Sequence, residues 1–238
     1  MDVLKYLDHP PREYTPVPFW FLNGNLTHGE IRRQMRDFCD HGVYGVVLHP
    51  RMGLSKRIGY LSKAFFNYLR TAVETARELD MKIVLYDEGM YPSGSAGGLV
   101  VKDRPDLASR GIGLQEKAEA GDHVLCKTEK GYLVERFSGG TIRGVHFGED
   151  DGEPFAPKSA DILNPEAVER FVNLTHDAYW RELGEYFGDP ILGFFTDEPS
   201  ILGRNTKDLF PWTKNFDRVF LSAGGQSLST FNLFHSLS

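Results

Sequence analysis

The chain has 238 residues, of which 41% are hydrophobic and 25% are charged, the balance of an ordinary soluble globular protein. Its net charge of −6 and its lack of a dense Lys/Arg cluster argue against nucleic-acid or anionic-membrane partners. The two cysteines, Cys39 and Cys126, offer no Cys/His zinc spacing. Because neither a signal peptide nor a membrane-spanning stretch is recognisable, we expect a cytoplasmic protein.

Apolar runs and amphipathic stretches alternate along the first hundred residues. The runs predict strands at 18–22, 45–49 and 81–86, and we expect Pro50 to end the second strand. The capping box that begins at Thr27 predicts one helix start, and an apolar stripe from Phe65 to Leu79 predicts a second helix. Strands and helices joined by short links in this order predict a parallel sheet with right-handed crossovers.

The alternation stops between about residues 107 and 160. Short strands are predicted at 124–126, 132–134 and 145–147, because glycine-containing turns separate these apolar runs. We interpret 107–160 as a small β-rich insertion, or lid, on the loop after the third strand.

Helical periodicity resumes at Asn164, which is a good N-cap followed by proline. One helix is predicted, with a buried face made of Val168, Val172, Tyr179, Leu183 and Phe187. The apolar run Ile191–Phe195 then predicts a fourth buried strand, ended by Pro199. A loop that includes Phe210-Pro-Trp-Thr213 follows, and Phe231, Leu233 and Phe234 are compatible with a short helix.

Two pairs of adjacent acids follow neighbouring predicted strands. Asp87-Glu88 comes after the third strand and Asp197-Glu198 after the fourth. Because the carboxyl ends of parallel strands meet at one edge of a sheet, both pairs are expected to face one crevice. Hydrolysis of a glycosidic bond needs one carboxylic acid to protonate the leaving oxygen and a second carboxylate as nucleophile or base. The sequence therefore predicts carboxylate chemistry at this edge.

Other interpretations of these acids stay open. They are also suitable as helix N-caps or solvated loop residues, or as ligands for Ca²⁺ or Mg²⁺. The glycine-rich loop Gly89–Gly98 matches neither a Walker A loop nor the dinucleotide fingerprint. We interpret it as a tight loop that lets a substrate approach the backbone beside Glu88.

Several rings lie at or just beyond the predicted strand ends. Trp20, Tyr91 and Trp212 are placed either to stack on sugar faces or to pack in the core. His49, at the end of the second strand, is either a substrate contact or a structural histidine.

Three stretches resemble the α-L-rhamnosidase-like bacterial glycoside hydrolases. They are Pro18–Gly24, Leu85–Gly94 and Phe195–Pro199, with Phe210–Thr213 as a further point of similarity. The resemblance covers about residues 16–215 outside the insertion. It implies that 1–238 is part of a (β/α)₈ barrel that acts on plant or bacterial oligosaccharides.

The resemblance also implies roles for individual residues. Glu198 would be the general acid, with Asp197 beside it, and Asp87 and Glu88 would line the sugar subsite. Asn23 would hydrogen-bond a sugar hydroxyl. Some relatives are thought to use calcium, which would place Ca²⁺ near the acids.

A closed barrel needs eight strands, and four are predicted here. The second catalytic carboxylate of such enzymes comes from a later strand. A half barrel leaves apolar edges uncovered, so we expect a truncated chain, self-association or a partner chain that completes the barrel. The alternatives to a glycosidase are a non-catalytic carbohydrate-binding remnant and a hydrolase that binds metal through the four acids.

Overall fold

The computed structural model describes Tyr6 and residues 10–226, so the helix considered for Phe231, Leu233 and Phe234 lies outside the described residues. The described part is a mixed α/β fold with two four-stranded sheets, which confirms the predicted class. Its strands and helices, in chain order, are β1 (Phe19–Gly24), α1 (His28–Asp40), β2 (Gly45–Leu54), α2 (Lys63–Leu79), β3 (Lys82–Tyr86), β4 (Arg110–Gln115), β5 (His123–Thr128), β6 (Gly131–Phe137), α3 (Pro165–Leu174), α4 (His176–Leu183), β7 (Ile191–Phe195), β8 (Phe210–Trp212) and α5 (Phe216–Ser222).

The first sheet is parallel throughout and has the strand order β1-β2-β3-β7. These four strands are the four predicted from apolar runs. The capping signal at Thr27 also holds, since its Oγ1 accepts a hydrogen bond from the Glu30 N–H at 3.2 Å. The Glu30 carboxylate does not reach back, because it accepts hydrogen bonds from Arg33 and Gln34.

Alternation along the strands divides the parallel sheet into two faces. Trp20 and Leu22 of β1 and Leu48 of β2 face a continuous core with α1, α2 and α4. The opposite phase places a row of rings on the other face: Phe19, Phe21, His49, Tyr86 and Phe195.

The face of the parallel sheet that carries the row of rings is concave. Three strand spacings of about 4.8 Å would put the outer strands of a flat sheet about 14 Å apart. Phe19 on β1 and Phe195 on β7 nevertheless meet edge to face, with ring centroids 4.9 Å apart. The sheet must therefore curl, with both rings leaning over its centre. Phe19, Phe21 and Phe195 remain 38% to 44% exposed on this concave face. Curvature of this sense suits a barrel segment, and closure into a barrel stays a prediction.

The prediction that Pro50 ends the second strand is wrong. β2 continues through it to Leu54, in register with β1 at the pair Leu22–Pro50. The pairing of β2 with β3 ends at Leu48–Leu85, so the N–H that Pro50 lacks interrupts no ladder to β3.

The second sheet is antiparallel, with the order β5-β6-β4-β8. Two of the three short strands predicted between 107 and 160 are present as β5 and β6. The prediction of a strand at 145–147 is wrong, since Val145–Phe147 forms bends and a turn. Residues 210–212, predicted as loop, form β8 on β4, so this sheet extends beyond 107–160.

The prediction of a single helix after Asn164 is wrong, because two helices, α3 and α4, are present and are separated at Thr175. There the backbone departs from helical geometry (φ −103°, ψ −78°), so the buried face shifts between α3 and α4. Tyr179 and Leu183 are buried as predicted, whereas Val168 and Val172 lie at the surface. Of the residues described, none belongs to a helix that is long and apolar enough to cross a membrane.

Candidate functional site

The two acids after β7 lie at the carboxyl edge of the parallel sheet, and each accepts a hydrogen bond from a tyrosine. The Tyr86 hydroxyl, at the end of β3, donates to Asp197 Oδ2 at 2.7 Å. The Tyr91 hydroxyl, in the loop after β3, donates to Glu198 Oε2 at 2.6 Å. Asp197 is half-buried and Glu198 is exposed. Two carboxylates are thus presented at one edge, each oriented by a phenol.

Glu198 also has an unusual backbone. Its φ of +37° falls on the left-handed side, where residues other than glycine are uncommon. Such conformations persist only where surrounding contacts enforce them, and they concentrate at functional sites. The contact with Tyr91 is one of the interactions that hold this residue in place.

Asp87 lies beneath this edge and does not reach solvent. Its two carboxylate oxygens accept hydrogen bonds from Ser93 Oγ at 2.6 Å and Thr196 Oγ1 at 2.5 Å. His176 Nε2 approaches to 3.8 Å. Burial raises the pKa of Asp87, while the two hydroxyl donors act in the opposite direction. Asp87 therefore ties the loop after β3 to the end of β7.

Ser93 strengthens the same connection. Its N–H donates to the Asp197 carbonyl at 2.9 Å, and its Oγ accepts from the Asp197 N–H at 2.9 Å. The backbone of Asp197 is therefore fixed on both sides by one loop residue.

Glu88 is also fully buried, beneath the glycine-rich loop. Its carboxylate accepts hydrogen bonds from four backbone amides: Gly89, Ser95, Ala96 and Gly97. Burial raises its pKa to about 7, although the four amides favour the charged form. The prediction that both acid pairs line one crevice therefore does not fit this geometry, because Asp87 and Glu88 are enclosed by their own partners.

His49 is buried within the row of rings. It stacks on Tyr86 with centroids 3.8 Å apart, and its Nδ1 lies 2.6 Å from the Pro50 carbonyl oxygen. Burial lowers the pKa of His49 to about 4, so the ring is neutral near pH 7. The Arg51 guanidinium covers the exposed face of Phe21 at 4.5 Å.

The other predicted binding residues are dispersed. Trp20 points to the helical side, where its Nε1 donates to Gln34 Oε1 at 2.8 Å. Trp212 packs in the second sheet with Ile112 and Leu133. Asn23 is exposed and lines a cleft of about 130 Å³ between β1 and α1. Of the four rings considered, Tyr91 is the one that contacts the acids at the edge.

Two arginines from loops outside both sheets also contact Tyr91. The Tyr91 carbonyl accepts a hydrogen bond from the Arg143 N–H at 2.7 Å, and the Arg204 guanidinium lies 5.3 Å from the centre of the Tyr91 ring. Arg204 is itself held by Asp151, with Nε 2.7 Å from Oδ2. Sequence reasoning missed these arginines, since no local signal connects residues so far apart in the chain.

Among the described residues, no group of three or more His, Cys, Asp or Glu side chains is arranged to hold a metal ion. The four acids do not form one ligand set, because buried Glu88 accepts hydrogen bonds from four amides and buried Asp87 from two hydroxyls. The expectation of nearby Ca²⁺ stays a prediction, and the arrangement does not favour a hydrolase that binds metal through all four acids.

Comparison with known proteins gives little further information. No family matches the sequence, and no curated protein is similar to it. A solved rhamnosidase structure from Novosphingobium sp. PP1Y aligns with a TM-score of 0.38 and 20% identity. The alignment covers 53% of this chain and 12% of that one. The chain thus spans a small part of the rhamnosidase, and a TM-score of this size does not establish a shared fold.

Proposed function

We propose that the chain is a glycoside hydrolase-like protein, similar to α-L-rhamnosidases, that acts on plant or bacterial oligosaccharides. Glu198 is its general acid. The observation that carries the proposal is the exposed Glu198 carboxylate, held by Tyr91 at the carboxyl edge of a curved parallel sheet. This edge is where parallel α/β enzymes place their catalytic groups. The motif resemblance supports the same assignment.

In this proposal Glu198 protonates the glycosidic oxygen as the bond to the leaving group breaks. Positive charge develops on the sugar as this bond breaks, in an oxocarbenium-like transition state, and water then bonds to the anomeric carbon and gives up a proton, which restores the acid. Asp197, half-buried and oriented by Tyr86, is placed in the same edge to stabilise that charge. Asp87 and Glu88 support the edge from below and are no longer assigned a direct contact with the sugar.

The test is hydrolysis of nitrophenyl glycosides, α-L-rhamnoside first, by the wild-type chain and Glu198→Gln. A general acid contributes about 10²–10⁴-fold, so kcat should fall by at least about 100-fold. Dinitrophenyl leaving groups need less protonation, and the loss should be smaller with them. Glu78→Gln, an exposed change on α2, is the matched control and should retain activity. Equal activity of Glu198→Gln and wild type would remove the assignment.

A second candidate is a carbohydrate-binding protein without turnover. It is favoured by the burial of Asp87 and Glu88, which leaves two acids at the open edge instead of four. Calorimetric titration with the same sugars decides between the two. Binding without hydrolysis would support this candidate, and measurable turnover lost in Glu198→Gln would exclude it.

A further inference from the structure

The glycine-rich loop after β3 is folded around one buried carboxylate. Glu88 Oε1 accepts from the Gly89 amide at 2.7 Å and from the Gly97 amide. Glu88 Oε2 accepts from the Ser95 and Ala96 amides, each at 2.8 Å. Within the described part of the chain, these four amides donate to Glu88 and to no backbone carbonyl. The carboxylate thus takes the place of a secondary-structure partner for the loop.

The shape of the loop depends on this convergence. Its two ends approach so closely that a Cβ on Gly89 would lie 3.2 Å from the Gly97 Cα. Ala96, Gly97 and Gly98 are all left-handed, with φ of +52°, +63° and +83°. With this backbone the successive amides of Ser95, Ala96 and Gly97 turn toward one point, which makes an anion-binding concavity, while the Gly98 N–H donates to the Ser95 carbonyl at 3.0 Å. Here the anion is supplied by the chain itself.

The same loop carries the groups that orient the acids after β7. Tyr91 donates to Glu198, and Ser93 is bonded to the backbone of Asp197 and to the Asp87 carboxylate. The residues whose amides donate to Glu88, 89 and 95–97, lie before and after Tyr91 and Ser93 in the sequence. Displacement of either end would therefore move Tyr91 and Ser93.

We propose that Glu88 is a positioning residue, whose buried carboxylate closes the loop 89–97 and thereby holds Tyr91 against Glu198 and Ser93 against Asp197. Its catalytic consequence rests on the proposed function, whereas its effect on the loop does not. It is a role distinct from the sugar subsite expected from the motifs.

The test is Glu88→Gln, which preserves size and replaces one acceptor oxygen by an NH₂ group. That NH₂ would face two N–H donors, so at least two of the four hydrogen bonds are lost. Amide exchange of Gly89, Ser95, Ala96 and Gly97 should become at least about tenfold faster. If the chain turns over a glycoside, kcat should fall by about 10- to 100-fold with KM changed by less than about threefold, because orientation is lost and binding is not.

Glu135→Gln is the matched control, since Glu135 is also a buried carboxylate but lies on β6. It should leave exchange of the four loop amides unchanged. Glu88→Asp keeps the charge on a shorter side chain, and it should give intermediate exchange and kcat. If Glu88→Gln does not fold, Glu88→Asp takes its place in the test.

The outcomes separate the two proposals. Faster loop exchange without turnover in any variant would retain the role of Glu88 and remove the hydrolase. Unchanged exchange of the four amides in both Glu88 variants would overturn the role of Glu88, whatever the activity. Loss of kcat in Glu88→Gln with equal loss in Glu135→Gln would assign the effect to general destabilisation and would also overturn it.

Discussion

The two sheets are built on different physical principles. The parallel sheet is held by a continuous apolar core on its helical face, and Val47, His49 and Tyr86 are also buried on its other face. The antiparallel sheet has a small core of Ile112, Leu133 and Trp212, and it buries an ion pair between Arg110 and Glu135. The first sheet depends on the hydrophobic effect, whereas the second also encloses two opposite charges, each of which needs the other as its partner.

In chain order the two sheets are interleaved, and each joins strands about a hundred residues apart. β1, α1, β2, α2 and β3 follow one another directly, and β7 then pairs with β3 after the antiparallel strands β4 to β6. The antiparallel sheet in turn joins β4 to β8. Tyr91 is held between the Glu198 carboxylate at the edge of the parallel sheet and the Arg143 and Arg204 contacts, which come from loops outside both sheets. The parallel sheet thus supplies the acids, and these loops support a residue that orients one of them.

The largest effect is expected from removing one partner of the ion pair in the second sheet. Arg110 Nη1 lies 2.9 Å from Glu135 Oε1, with side chains 17% and 2% exposed. Arg110→Met would leave Glu135 buried with His123 alone, and the free energy of unfolding should fall by about 3 kcal/mol. Urea denaturation measures this loss.

The control is the double variant Arg110→Met with Glu135→Leu, which removes both charges. It should recover most of the lost stability, because well-packed apolar residues can replace a buried ion pair at little cost. A loss below about 1 kcal/mol in the single variant would show that the second sheet does not depend on this pair.

A smaller effect, which depends on pH, is expected on the concave face of the parallel sheet. Burial lowers the pKa of His49 from 6.5 to about 4, so the unfolded chain takes up a proton between these values while the folded chain does not. The stabilising contribution of neutral His49 is therefore complete above about pH 6.5 and is lost as the pH falls toward 4. The loss should be about 2–3 kcal/mol.

His49→Phe keeps a ring against Tyr86 and cannot titrate. The unfolding free energy of each protein is measured from neutral pH to about pH 4. The loss assigned to His49 should appear in the wild type and be absent from the variant. Asp87 and Glu88 have raised pKa values and act with the opposite sign, but they are present in both proteins and cancel. Parallel pH curves would contradict the prediction.

The sequence predicted those elements whose signals are local. Each strand of the parallel sheet is an apolar run, and the N-caps of α1 and α2 are held by side chains within three residues. β4 was missed because Gly111 and Gly113 weaken its apolar pattern. A Cβ on Gly111 would lie 2.9 Å from the Phe210 carbonyl oxygen. A glycine is therefore needed here because a strand from far along the chain packs closely against it. β8 was missed because Pro211 argues against a strand, although proline is tolerated at an edge such as this.

In the candidate site too, only the features with local sequence signals were predictable. The position of Asp197 and Glu198 at the end of a strand follows from the apolar run before them. The inward turn of Asp87 and Glu88 does not, because it depends on Thr196 and on loop amides that converge only after folding. A strand end predicts where an acid lies along a sheet edge, and its partners decide whether it reaches solvent.

The smallest expected effects concern the two tyrosines at the edge, and they compare a half-buried acid with an exposed one. Tyr86→Phe removes the donor to Asp197 from a fully buried ring, so the free energy of unfolding should fall by about 1 kcal/mol. Tyr91→Phe removes the donor to exposed Glu198, which water can replace, and the change should stay within about 0.5 kcal/mol. Chemical denaturation of both variants measures the difference. If Tyr91→Phe cost as much stability as Tyr86→Phe, its hydroxyl would be part of the folded scaffold. If stability is retained, any loss of turnover in Tyr91→Phe reports on the orientation of Glu198 alone.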